Sequence, residues 1–170
     1  TEQTNMQASV NSAYGKLPLR FEANDGQTDE QVKFLSRGNG YNMFFTPTET
    51  VMVLSKPAMP TDDRSQDDPA PPASDSSSVI RMGLVNANAN PKMTGEDILP
   101  GSSNYFNDND PANWRTNIHS YGKVKYESVY EGVDLVYYGN QQKLEYDFIV
   151  KPGSDPKNIR MTFAGANKLS

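Results

Sequence analysis

From Lys143 to Val150 the chain alternates without a slip. Leu144, Tyr146, Phe148 and Val150 share one parity, and Lys143, Glu145, Asp147 and Ile149 the other. A period of two sends successive side chains to opposite faces of an extended backbone, so this stretch suits a strand with one apolar face and does not suit a helix. Gly139-Asn140-Gln141-Gln142 supplies turn chemistry before it, and Val133 to Tyr138 reads as the partner strand of a hairpin or meander. The tyrosine-rich run from Val124 to Val150 is therefore expected to nucleate a β domain, with Leu144, Tyr146 and Phe148 turned inwards.

The rest of the chain offers strands to share that core. Leu17, Leu19 and Phe21 alternate with polar residues, and Pro18, which has no backbone donor, marks an edge strand or an extended arm. Asn24-Asp25-Gly26 closes it as a turn. Val32–Leu35, Tyr41–Thr46 and Thr50–Leu54, joined by short Gly- or Pro-containing turns, read as an antiparallel meander. Val79–Val85 resumes alternation, Lys92–Ser103 reads as irregular around Gly95, Pro100 and Gly101, and Tyr121–Tyr126 and Ile159–Phe163 are further strands. No helical period survives the glycines and prolines beyond single turns at Asp110–Trp114 or Asp155–Asn158. The fold class expected is all-β: an antiparallel β-sandwich-like domain with short turns.

Two segments stand outside that pattern. Residues 56–78 are built from Pro, Asp, Ser and Ala with one large apolar residue, too few to offset the entropy of ordering, and are expected to form a disordered acidic loop. Residues 1–13 are expected to be a flexible leader or a strand exchanged onto another sheet edge. Residues 14–170 then make one β domain, long enough to bury roughly 70% of its unfolded surface.

Charge and composition narrow the partners. A net charge of -5 with basic residues scattered singly argues against nucleic acid. No stretch approaches the ~20 apolar residues of a membrane-spanning helix. The chain holds no cysteine, which removes disulfides and thiolate metal sites. Abundant Asn, Ser, Thr, Gly and Tyr fit an extracellular or cell-surface β protein whose signal peptide has been removed.

Candidate chemistry is sparse, and no enzymatic activity is expected. His119 is the only histidine, and no strained G-x-S-x-G turn accompanies it. Glu145 and Asp147, about 7 Å apart on one strand face, have the separation of paired glycosidase carboxylates, but acids on the solvent face of a strand are the ordinary pattern. No cofactor is expected beyond calcium, whose hard oxygen ligands Asn107, Asp108, Asn109 and Asp110 would supply; Asn24, Asp25 and Asp29 form a second oxygen-rich loop. Tyr105, Trp114, Tyr137 and Tyr138 form the candidate aromatic binding surface, for a polysaccharide or a protein, with one of the adjacent pair Tyr137 and Tyr138 obliged to face outwards.

Three segments in order carry a family resemblance: FEANDGQTDEQVKFLSRGNGYNMFFTPTE, LPGSSNYFNDNDPANWRTN and VYEGVDLVYYGNQQKLEYDFIVKPGSDP. Across Tyr14–Ala166 the chain resembles the N-terminal domain of unknown function that precedes SBBP-type β-propeller repeats in large exported bacterial proteins. That resemblance implies a β-sandwich-like module on a cell surface, and it brings no catalytic residues. The long acidic insert departs from the family pattern. The function expected is a non-catalytic structural or adhesion module working through protein–protein contacts, including self-assembly by strand addition, with carbohydrate binding as the alternative.

Overall fold

Period-two segments form strands throughout. The computed structural model describes residues 19–55, 77–106, 110–140 and 143–165. They hold β1 (Phe21–Ala23), β2 (Phe34–Gly38), β3 (Tyr41–Phe45), β4 (Glu49–Ser55), β5 (Ser77–Leu84), β6 (Lys92–Tyr105), β7 (Arg115–Tyr130), β8 (Val133–Asn140), β9 (Lys143–Val150) and β10 (Met161–Ala164). Every pairing is antiparallel. The strands form one sheet in the order β10-β5-β4-β3-β2-β1-β7-β8-β9, with β6 also on β7. The two expected turns of helix are single 3-10 turns at Pro111–Asn113 and Pro156–Asn158, each capped by the aspartate before it.

The register along β7 explains how one sheet makes two layers. One edge of this 16-residue strand carries β6. Its other edge carries β1 opposite Ser120 and Tyr121, and then β8 opposite Lys123 to Tyr130. The sheet therefore forks at Gly122, one branch running through β1 to β10 and the other through β8 to β9. β1 and β8 leave the same edge of β7 at different points along it, so in a flat sheet the β1–β2–β3 branch and the β8–β9 branch would lie side by side, their faces never meeting. Instead the rings of Phe45 on β3 and Tyr137 on β8 pack edge to face at 5.2 Å. The sheet curls over, and its two branches face each other as the layers of a sandwich.

Between them lies the core: Phe21, Phe34, Met43, Phe45, Val124, Tyr126, Val129, Val133, Leu135 and Tyr137, with Leu144 and Phe148 packed against its rim. The buried phenols find partners across the gap, as burial demands. Thr50 Oγ1 donates to the Tyr137 hydroxyl at 3.0 Å, Tyr126 donates to Thr46 O at 3.1 Å, and Tyr130 bonds Val85 O at 2.9 Å. The space left between Thr50, Met82, Leu84, Tyr126, Leu135 and Tyr137 is about 10 Å³, room for one water. That space is too small for anything larger than a water.

Three expectations change. β1 is no edge strand: it sits inside the sheet between β2 and β7, and Pro18 lies outside the described residues, ahead of the three that pair. Lys92–Ser103 is not irregular but most of a 14-residue strand. The ladder with β7 absorbs Pro100 and Gly101 at a register shift between Ile98 and Ser102, and the Tyr121 ring lies where a side chain on Gly95 would stand. The expected acidic loop shortens, because Ser77 and Ser78 already belong to β5; residues 56–76 lie outside the described residues, as does the expected leader. No helix among the described residues is long and apolar enough to cross a membrane.

Candidate functional site

Among the described residues the gap between the layers has room for one water, and the surface features follow from the fork. Three strands have no neighbouring strand on one edge among the described residues: β6, β9 and β10. β10 is short, with four residues. β6 is blunted by its bulges and by Asp97 at a φ of 55°. β9 has neither defect. Its eight residues contain no Gly or Pro and pair with β8 in unbroken register. Its inner face is only partly roofed, with Leu144 and Phe148 half-buried and Tyr146 38% exposed, while Ile149 on the other face is 48% exposed.

The second feature is the hairpin of β6 and β7, whose side chains on one face of the sheet reach across to β1 and β2. Ser103 Oγ and the Tyr105 hydroxyl both donate to the Glu22 carboxylate of β1, while Arg37 of β2 donates to the Tyr105 hydroxyl at 3.0 Å and stacks over its ring at 5.1 Å. Burial first, and the Glu22 carboxylate second, push the Tyr105 phenol up to about 12. On the same face of the sheet, Leu35 stands opposite Glu22 and Ile118 two residues from Ser120, both buried and outside the main core. The polar latch thus fastens the hairpin beside a second, small apolar cluster.

On the opposite face, the end of the hairpin beyond Tyr121 is exposed. Ser102 stands opposite His119, Asn104 Oδ1 accepts from the Asn117 backbone N–H at 2.9 Å, and beyond them Phe106 meets Trp114 edge to face at 5.0 Å. Phe106 is 60% exposed and Trp114 39%. Arg115 folds beneath, donating to Ala112 O and Trp114 O, which fixes the backbone that carries the indole.

With the geometry in place, the family is decided by one match. The family model described as "Domain of unknown function (DUF7948)" covers residues 21–170. The chain belongs to this family. No curated protein matches the chain, and no solved structure does.

Within this DUF7948 domain the residues singled out from sequence scatter. Tyr137 is 2% exposed in the interlayer core, so it leaves the aromatic surface: its parity turns it inwards, and Tyr138 is the member of the pair on the outer face. Burial, and then the Asp147 and Glu145 carboxylates, raise the Tyr138 phenol above its ordinary value. Tyr105 has one ring face under Arg37 and its hydroxyl on Glu22, which leaves it a latch rather than a platform. Trp114 remains exposed, and its companion is Phe106, one residue past the end of β6.

Asp110, Asn24 and Glu145, which lie among the described residues, each make hydrogen bonds within the fold. Asn107, Asp108 and Asn109 lie outside the described residues, while Asp110 caps a 3-10 turn through Ala112 N at 3.0 Å. In the Asn24 loop, Asn24 Nδ2 donates to the carbonyls of Thr28, Asp29 and Val32, and Oδ1 accepts from the N–H groups of Gly26 and Thr28. An amide nitrogen therefore occupies the centre of the carbonyl cluster where a cation would sit. Glu145 takes a hydrogen bond from Asn140 Nδ2 at 3.0 Å on the outer face of β9. Among the described residues no three His, Cys, Asp or Glu side chains converge on one point.

Proposed function

We propose that the domain is a non-catalytic binding module that works by strand addition at β9, taking a strand from a protein partner and, in the simplest case, from a second copy of itself. One observation carries the reading: β9 is a full-length, unbulged strand whose outer edge has no neighbour among the described residues. Such an edge presents a row of unmade backbone hydrogen bonds, and proteins that leave one open without use normally shorten, bulge or kink it. β6 and β10 are blunted in that way and β9 is not. Charged Lys143, Glu145 and Asp147 on its outer face make addition selective rather than promiscuous.

The same reading places the domain outside the cell, as the N-terminal module of an SBBP-type exported surface protein. Its acidic, cysteine-free, Asn-, Ser- and Tyr-rich composition and the resemblance carried by the three segments support that setting. Structure or adhesion is then the role, and catalysis is not.

Hydrogen exchange followed from dilute to concentrated protein tests the reading. Self-addition is expected to slow the amides of β9 as concentration rises, with β6 and β10 unchanged and with sedimentation moving to larger species. Ile149→Lys, a charge added at the edge, is expected to abolish both effects. Exchange in β9 that is identical at all concentrations, in a chain that sediments as a monomer throughout, would sink self-addition.

A further inference from the structure

The outer face of the β6–β7 hairpin is a different surface from the β9 edge, and its chemistry selects a different ligand. Along about 14 Å of strand, at the ~3.4 Å rise of antiparallel residues, it offers Ser102 and His119, then Asn104 and Asn117, then the Phe106–Trp114 pair. All six are exposed. An exposed serine, asparagine or histidine on a strand is ordinary; a phenylalanine and an indole held together in solvent at the end of such a row are not.

The two parts of the row fit the two sides of a sugar ring. Amides, hydroxyls and imidazole each both donate and accept hydrogen bonds, as vicinal sugar hydroxyls do. The faces of aromatic rings carry a negative quadrupole that attracts the polarised C–H groups of a pyranose. None of the six is a carboxylate, lysine or arginine, so nothing in the row favours a charged ligand. The row is also built before any ligand arrives. Ser103, Tyr105 and Glu22 fasten the hairpin from behind, Asn104 is held by the Asn117 N–H, and Asn117 itself sits at a φ of 60°. Preorganisation of this kind lowers the ordering cost of binding. We propose that this face binds a neutral polysaccharide, one ring of the perpendicular Phe106–Trp114 pair stacking on a sugar unit and Asn104, Asn117, Ser102 and His119 meeting hydroxyls of the units that follow.

Trp114 is the only tryptophan in the chain, so its emission reports on the site alone. The purified domain is titrated with laminarin, xylan and hydroxyethylcellulose as neutral probes and polygalacturonate as an anionic one, with affinity electrophoresis in parallel. At least one neutral polysaccharide is expected to shift the emission and retard the protein. Phe106→Ala and Ser102→Ala are each expected to weaken retardation, the first by about tenfold or more, with the circular-dichroism signal unchanged. Retardation by polygalacturonate alone overturns the proposal, as does binding that survives the Phe106→Ala, Trp114→Ala double variant. A shift that follows protein concentration without any probe overturns it too, because the aromatic pair then meets a second copy. Absence of any response to all three neutral probes ends it. None of these outcomes touches the β9 edge, whose test reads different amides.

Discussion

Single residues decide where this sheet can fork. At the point where the edge of β7 passes from β8 to β1, the chain at Leu19 lies against Gly139, and a Cβ built on Gly139 would stand 2.5 Å from Leu19 Cβ and 3.1 Å from Leu19 N. Neither atom can swing away as a side-chain tip would. Gly139→Ala is therefore expected to cost about 1 to 3 kcal/mol in urea unfolding, the range of an overpacked core. A stability equal to that of the parent would show that Leu19 does not lie where it is described. Asp134 is a second such residue. It is buried, it accepts from Ser128 N at 2.8 Å, and Lys125 and Lys151 stand at 3.5 and 3.8 Å. Ser128, at a φ of 54°, lies where β7 slips register against β8. The Ser128 N–H, with Lys151 and Lys125, holds the Asp134 carboxyl below its ordinary range against the opposing effect of burial. A depressed folded pKa contributes stability that is present above the unfolded value of about 3.9 and is lost as pH falls through the folded one. Asp134→Asn keeps the acceptor and loses the charge, so its unfolding free energy is expected to fall less steeply than the parent's below about pH 4. Parallel curves from neutral to acid pH would exclude Asp134 as an acid-sensitive anchor.

At the scale of elements, alternation made β9 and the meander β2–β3–β4 legible, because one parity of each is apolar and short turns with Gly40 or Pro47 fix their neighbours. β6 was not legible, for a physical reason. Gly95, Pro100 and Gly101 look like loop residues until a partner strand supplies what they lack, a ring over one glycine and a bulge around the other two. The short β1 was hidden likewise, since an internal strand of three residues carries too little period to betray its place. Long-range latches leave no local signal at all: Glu22 and Tyr105 are 83 residues apart. The β6–β7 hairpin depends on them. Tyr105→Phe removes one charge-assisted donor from Glu22, and Glu22→Ala removes the acceptor for both Ser103 and Tyr105. Losses of about 1 to 3 kcal/mol are expected from such bonds. They are expected to show locally, as faster hydrogen exchange in residues 102–105 and 115–119 with β8 and β9 unaffected. Uniform acceleration across the sheet would mean that the hairpin and the core open as one unit.

For the whole molecule, the tyrosines that suggested a binding surface are largely what joins the two layers. Tyr126 and Tyr137 pack edge to face and bond Thr46 and Thr50 of the opposite layer. Burial raises both phenols well above the ordinary value of 10, and it raises Tyr41 in the same direction and Tyr105 to about 12. A raised folded pKa means that the folded state disfavours the phenolate. The stability these groups contribute is complete below about pH 10, where the unfolded chain's phenols begin to ionise, and is lost as pH rises through the folded values. The sandwich is therefore expected to come apart cooperatively in alkali. The buried tyrosines should ionise together with the loss of the β circular-dichroism signal. Tyr137→Phe tests the origin of that step. It loses the bond from Thr50 and should be less stable by about 0.5 to 1.5 kcal/mol at neutral pH, yet its stability should fall less steeply with alkali because one buried phenol no longer has to ionise. A parent domain whose phenols all ionise near pH 10 while it remains folded would mean that the interlayer tyrosines are open to solvent, and the sandwich would then need another source of cohesion.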